Sequence, residues 1–495
     1  METGQASIAS AGEPVGRDYS LTGPRSKQAV LLGLTDAEWY RPPIAPERLR
    51  ELMTRRNGPA IRDTTLWLLL LVATGLLAYL ALGTWWAIPA FAAYGALYGG
   101  AADPRWHENG HGTAFRTRWP NDVVYALASF MLLREPTLWR WSHVRHHSDT
   151  IIVGRDPEIS FPRPFRFRSV LPNYLNLISG PRMLLRIGQH ALGRIDEDTR
   201  EFVPEEELPR VVREARAFAL ILGAVVVWCI AAGSLVPLLF VGLPSFYGVW
   251  LVWFFAITQH AGLNEDVLDH RYSTRTVYMN PVFRFLYLNM NYHLEHHLFP
   301  SVPYHALPAL HEEVKEYLPA PKTSMFAAYK EIVLALRMQR RNPDWEIPGR
   351  EVPDDAAYRL NGTRTSSGSL ATSMAVAAGL ESRTDLGPAD LVMPGQVTRI
   401  DIGDHTYALF RTRRNSYALT DGICTHGQAD LSTGHLDDCI IECPKHNGRF
   451  NVLTGEPVRR PARIPLATYP VDVVDGRLLV ALRGPGPDVA ATGAS

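Results

Sequence analysis

Two long blocks without a single charged residue constrain this chain more than anything else in it. From Thr65 to Leu82, eighteen consecutive residues carry no charge. That is close to the roughly 20 residues a helix needs to cross about 30 Å of hydrocarbon. After Gly83-Thr84 the uncharged run resumes from Trp85 to Ala102, opening on paired tryptophans suited to a membrane interface. The second block, Ala217 to Ile257, is also uncharged and long enough for two further crossings. Arg50, Arg55, Arg56 and Arg62 precede the first hairpin, and Arg105, Arg116 and Arg118 follow it. Arg213 and Arg216, then Arg271 and Arg275, flank the second block in the same way. Basic flanks stay cytoplasmic, so the pattern predicts four transmembrane helices with their polar connections on the cytoplasmic side.

The remaining sequence divides around these blocks. At 495 residues the chain is about three times a typical domain of ~150, so more than one unit is expected. Residues 1–40, rich in Gly, Ser and Ala, read as a flexible lead, and 41–345 as the membrane domain. Helices predicted over 305–318 and 324–340 complete a cytosolic cap. Residues 346–385 have linker composition. From 386 to 485, short alternating segments such as TYALFRT and GRLLVAL, bounded by turn residues, predict a small antiparallel β domain; 486–495 is a tail. Equal numbers of basic and acidic residues, 50 each, exclude a dedicated nucleic-acid binder. Four cysteines cannot build a disulfide framework, and the N-terminus has no basic-then-apolar signal. Chemistry facing a reducing cytosol is expected.

Nine of the 17 histidines fall at the cytoplasmic ends of the apolar blocks. His107 and His111, at i and i+4, share one helical face. His143, His146 and His147, like His293, His296 and His297, combine i, i+3 and i+4, while adjacent members of each trio diverge by about 100°. Each adjacent pair can therefore serve two neighbouring metal ions. His260, at the exit of the last span, is the ninth candidate ligand, with Asn264 and Glu265 as possible substitutes. His311 and Glu295 are candidates to hydrogen-bond ligating imidazoles from outside. Nitrogen ligation alone suits iron, copper, zinc or nickel. His190, His270, His305, His311, His405 and His435 lack cluster spacing and read as surface or supporting groups. Trp85, Trp86 and Trp253 read first as interface anchors, although apolar surface near them could admit an acyl or alkyl chain.

In this order and spacing, HENGH, HVRHH and HLEHH resemble the three histidine boxes of the membrane fatty-acid desaturase and hydroxylase family, over roughly residues 60–340. The stretch Asn289 to His311 is particularly close to the third box and its continuation. The branch most resembled is that of the rhizopine-catabolism oxygenase, which works with a separate Rieske-type ferredoxin. The resemblance implies two iron ions held by His107, His111, His143, His146, His147, His260, His293, His296 and His297, with O2 as cosubstrate and attack on an unactivated C–H bond. Gln259-His260-Ala261-Gly262-Leu263 also resembles a histidine motif of membrane alkane hydroxylases, which leans toward oxygen insertion. The cytochrome b5 domain that some family members carry at the N-terminus is not found, so electrons are expected from elsewhere.

The C-terminal region offers that source. Cys424-Thr-His426 and Cys443-Pro-Lys-His446 each contribute one Cys and one His, the ligand pattern of a Rieske [2Fe–2S] centre, in which two thiolates bind one iron and two imidazoles the other. A zinc finger would instead pair cysteines and then histidines. The stretch from Leu386 to Arg483 resembles Rieske ferredoxins, with Gly448, Phe450 and Gly455 at matching positions. High-potential Rieske proteins add a disulfide between the cluster loops; Lys445 stands at that second-loop position here, which implies a potential toward the low end of the Rieske range, about −150 mV and upward. Cys439 reads as a strand thiol.

Together these features predict a multidomain chain: an α-helical integral membrane domain of four transmembrane helices with a cytosolic cap, plus a small all-β Rieske domain. The expected activity is hydroxylation, desaturation or another monooxygenase reaction on an aliphatic or lipid-like substrate. Its own Rieske cluster would feed it, reduced in turn by an NAD(P)H-dependent flavoprotein reductase. A multi-pass protein of a bacterial cell membrane, with both metal sites facing the cytoplasm, is expected. The alternative is a membrane-tethered Rieske electron-transfer protein with a structural or transport metal site.

Overall fold

The computed structural model describes residues 17–35, 39–165, 170–348, 350–353, 383–403, 405–426, 429–445 and 448–482. The start of the expected lead, most of the expected linker and the expected tail lie outside them. The chain separates into two compact units, Met1–Ile44 with Glu51–Asp354, and Ala45–Arg50 with Asp355–Ser495.

The first unit is helical. Three segments are long and apolar enough to cross a membrane among the described residues, Glu47–Leu80, Glu205–Ala232 and Val236–His260. Their outer faces carry Leu69, Val72, Leu80, Val227 and Ile230, each more than 60% exposed. Apolar exposure on that scale marks a surface meant for another apolar phase.

Of the four expected spans, three meet that measure of length and apolarity among the described residues. The second expected span is helical, but as Ala87–Gly95, a π-helical turn over Ala96–Gly100, and Ala102–His111. Its glycines and tyrosines lower its apolar content because they serve close packing. A Cβ on Gly248 would lie 2.0 Å from the Gly95 carbonyl oxygen, and one on Gly99 would lie 2.9 Å from the Pro244 carbonyl oxygen. Backbone approaches this close admit only glycine. Tyr94, Leu97 and Tyr98 are buried in a core with Trp67, Trp106, Tyr125 and Val252.

Residues 17–35 correct the expectation of a flexible lead. They include a helix, Pro24–Leu31, begun by proline in its first turn. Its Ala29 is buried with Trp39 and Ile152. The cap helices form as Leu307–Val314, continued by a 3-10 turn, and Met325–Arg341.

The β unit carries three antiparallel sheets. Strands Gln396–Ile402, His405–Arg411, Tyr417–Asp421 and Thr468–Tyr469 form one; His435–Asp437, Ile440–Glu442, Arg449–Asn451 and Pro457–Arg459 form a second; Arg383–Pro388, Arg477–Ala481 and Val471–Val474 form a third. Alternation places Ala408 and Phe410 in a core with Ile441, Phe450 and Val452.

Candidate metal centres

Each histidine box sits on a helix whose ends the local sequence defines. Helix Ala102–His111 stops at Gly112, which takes φ 68° and caps the last carbonyls. Helix Pro136–Ser148 begins on proline at its first position and carries the second box in its last two turns. The third box occupies the short helix His293–Leu298, with all six residues buried. His260 ends helix Trp250–His260.

These elements bring all nine predicted histidines together in two groups. His107, His111, His143, His147 and His296 form one, and His146, His260, His293 and His297 the other; within each group the ring nitrogens lie within 4.8 Å of one another. The expected divergence of neighbours is observed, since His146 and His147 fall in different groups, as do His296 and His297. Asn264 and Glu265 are not substitutes for His260. Asn264 bonds Glu346, and Glu265 bonds Arg17 and Tyr19.

Outward hydrogen bonds set the tautomers. His143 Nδ1–H donates to Glu158 Oε2 at 3.1 Å, His146 Nδ1–H to Asp156 Oδ2 at 2.8 Å, and His260 Nδ1–H to the Ser273 carbonyl at 2.8 Å. Thr150 Oγ1, which donates to the His146 carbonyl, accepts from His297 Nδ1 at 3.3 Å. A neutral imidazole that carries its proton on Nδ1 presents an Nε2 lone pair on its other side. These lone pairs converge: His111 Nε2 lies 3.1 Å from His143 Nε2, and His260 Nε2 3.1 Å from His293 Nε2. Burial, reinforced by the other imidazoles, pushes His107, His147, His293, His296 and His297 well below the usual histidine range. Burial also opposes protonation of His146, but Asp156 outweighs it and raises that ring. Buried lone pairs facing each other at about 3 Å repel unless a cation lies between them, and softness suits imidazole to a divalent transition metal. The donor set fits two ions with five and four nitrogens.

Asp156 and Glu158 were not singled out from the sequence. The signal was present as two carboxylates in Arg155-Asp156-Pro157-Glu158, within twelve residues of the second box. His311 and Glu295 do meet, but each other: His311 Nδ1–H donates to Glu295 Oε1 at 2.5 Å, while Thr276 holds the second oxygen at 2.6 Å. They brace the third-box helix from behind. A small, partly open cleft of about 60 Å³ reaches His260 and Glu158 between Ile159, Phe161, Arg163 and Leu263.

In the β unit, Cys424 and Cys443 are buried in one core. The Cys424 N–H donates to the Ala429 carbonyl and the Cys443 N–H to the Gly448 carbonyl, closing two tight loops. Gly455 takes φ 76°, and a Cβ there would lie 2.1 Å from the Leu466 carbonyl. His426 lies on the first loop, two residues after Cys424, and Thr425 in the same loop donates to the Ile464 carbonyl. His446 lies outside the described residues. Cys439 packs, half-buried, against the same core, and no disulfide joins any of the four cysteines.

A buried nitrogen-rich site in a helical unit, joined to a β unit with a Cys-His loop, defines a class of multicentre redox protein. Comparison with known proteins makes it particular. Residues 83–329 match the fatty acid desaturase family and residues 383–470 the Rieske [2Fe-2S] domain. The chain belongs to the fatty acid desaturase family and carries a C-terminal Rieske domain. The β unit is 43% identical over 91 residues to ferredoxin CarAc of Metapseudomonas resinovorans, covering 18% of this chain and 84% of that protein. It is 37% identical over 91 residues to the ferredoxin component of the naphthalene 1,2-dioxygenase system of Pseudomonas putida, covering 18% of this chain and 86% of that protein. Among solved structures, the complex of reduced oxygenase and oxidized ferredoxin in carbazole 1,9a-dioxygenase shares 38% identity with a TM-score of 0.19, covering 20% of this chain and all of the matched one. The chain is a desaturase/hydroxylase-type oxygenase, and its cofactors are iron and a Rieske cluster.

Proposed function

We propose that the chain is an O2-dependent membrane diiron enzyme that oxidises an unactivated C–H bond of an aliphatic or acyl-type substrate, using electrons from its own Rieske cluster. The observation that carries this reading is the division of nine imidazoles, seven of them buried and His111 and His260 half-buried, into groups of five and four with converging Nε2 lone pairs. His107, His111, His143, His147 and His296 would hold one iron and His146, His260, His293 and His297 the other. Cys424, His426, Cys443 and His446 would hold the [2Fe–2S] cluster. When bound, the irons supply O2 activation and the cluster supplies electrons singly.

The protein's own groups do the rest. Asp156, Glu158 and the Ser273 carbonyl lock the ring orientations, so the site is organised before metal enters. Burial of the third-box helix excludes water from around its imidazoles. Covalent linkage of carrier and oxygenase holds the carrier at an effective concentration of about millimolar, which makes electron delivery intramolecular. An NAD(P)H-dependent flavoprotein reductase is the proposed partner. The proposed location is a bacterial cell membrane, and basic flanks at both ends of the first hairpin and of the second block support placing both centres on its cytoplasmic side.

The test is an iron and acid-labile sulfide count on purified protein, followed by metabolite comparison of cells with and without the gene and with His296→Ala. Four irons and two sulfides per chain, and a product lost equally in the deletion and the variant, are expected. Two irons in all, confined to the cluster, would favour the electron-carrier alternative. A product 16 mass units heavier than its precursor marks hydroxylation, and one 2 units lighter marks desaturation.

A further inference from the structure

The segment expected to be a flexible lead instead ties together the two walls of the cleft over His260. One wall is built from Ile151, residues 158–161 and Arg163, the other from Ala256, residues 259–263 and Glu265. The hydroxyl of Tyr19 joins them. It donates to Glu265 Oε1 at 2.7 Å and accepts from the Arg163 backbone N–H at 2.7 Å. Arg17 holds the other oxygen of Glu265 at 2.9 Å, with a second arm on Asp344 at 2.7 Å. A few residues on, Arg25 pairs with Asp266 at 2.5 Å, and the second oxygen of Asp266 accepts the Val153 N–H at 2.8 Å.

The backbone beneath these contacts is held in an unfavourable conformation. Ile151 and Asp266 both take a φ of 56°, and the Asp266 N–H donates to the Ile151 carbonyl. A β-branched residue in the left-handed region persists only where its surroundings over-determine it. Ile151 is a lining residue of the cleft, so contacts made by residues 17–25 hold the shape of the cleft itself.

We propose that Arg17 and Tyr19 form a clasp that sets the width of the cleft over His260 and thereby which substrates reach the histidine cluster. They are positioning residues, acting through Glu265 and Arg163. The inference rests on the reading of that cluster as the oxygen-activating centre, because the cleft is a substrate route only if it leads to one.

The test needs no substrate. In the metal-loaded full chain, Ile159→Cys places a thiol on the cleft wall, and its labelling rate is read with N-ethylmaleimide and with the bulkier fluorescein maleimide, subtracting the rate of the parent chain with its four native cysteines. Tyr19→Phe, which removes only the bridging oxygen, and Arg17→Ala are each combined with it. The expected result is a rise of at least tenfold in labelling by the bulky reagent, a smaller rise for the small one, and faster amide hydrogen exchange over residues 151–163 and 261–269. Unchanged labelling and exchange in both variants, with iron and sulfide content intact, would overturn the clasp. Loss of size selectivity in the Tyr19→Phe and Arg17→Ala variants, together with iron found only at the Rieske cluster of the parent chain, would support the clasp while refuting the diiron reading.

Discussion

His146 and His147 are adjacent in the chain, yet their rings stand 5.7 Å apart at 75° to each other and belong to different nitrogen groups. His296 and His297 repeat the relationship at 5.9 Å and 77°. The separation is helical geometry: one residue of advance turns the side chain by about 100°, so a single turn of helix addresses two centres.

Replacing either neighbour by alanine should therefore empty one position and spare the other. We expect His146→Ala and His147→Ala each to lose about one of the four irons per chain while retaining two acid-labile sulfides. Mössbauer spectra of the two variants should show different remaining histidine-bound sites. Loss of both irons from each variant would mean that the groups behave as one indivisible site.

Asp156 is fully buried at its side chain, holds the His146 ring at 2.8 Å and accepts the Ile151 N–H with the same oxygen. Its other oxygen accepts the Glu158 N–H, so it also places the carboxylate that orients His143. Asp156→Asn should weaken metal retention by about 10–100-fold, the usual effect of losing an outer carboxylate. Competition with a chelator measures this, with Glu158→Gln as a companion expected to act on the other group.

Much of this site was legible in the sequence because helical period alone decides which histidines share a face. The spacing of His143, His146 and His147 predicts both their common helix and their division between two centres. The outer carboxylates were hidden for a physical reason: Asp156 and Glu158 reach the rings through a loop, and loops have no period from which a direction can be read. The second apolar segment is less plainly a crossing than its lack of charge suggests, because its glycines serve close backbone packing. Likewise His190 has no cluster spacing, yet it is fully buried between two carboxylates contributed by separate parts of the fold. Residues 17–25 lack any apolar periodicity, so their ordering through ion pairs and a hydroxyl left no signature that composition could show.

The glycine contact between the apolar segments gives a stability prediction. A methyl group on residue 248 would meet the Gly95 backbone at 2.0–2.8 Å, and backbone cannot yield as the end of a side chain can. Gly248→Ala should destabilise the helical unit by about 1–3 kcal/mol, the ordinary cost of overpacking. Thermal unfolding of detergent-solubilised protein should show it, with Gly223→Ala, inside a helix where an added Cβ meets nothing within 4 Å, as the control expected to keep or slightly raise stability.

His190 supplies the pH dependence. Its Nδ1 donates to Glu135 at 2.6 Å and its Nε2 to Asp196 at 2.9 Å, so both ring nitrogens carry protons. Burial opposes that charge, but the two hydrogen-bonded carboxylates outweigh it and raise the imidazole to about 9. The same contact, against the cost of burial, holds Asp196 below the usual carboxylate range. Because the folded value exceeds the unfolded one of about 6.5, the stabilisation is complete below about pH 6.5 and is lost as pH rises through about 9. The shift corresponds to at most about 3 kcal/mol, reduced to roughly 1–2 kcal/mol by solvent screening at Asp196, whose side chain is 38% exposed. Unfolding midpoints of the solubilised protein should therefore fall between pH 6.5 and 10, and that slope should flatten in His190→Gln. An identical slope in the variant would show that the His190 imidazole is not the group that titrates.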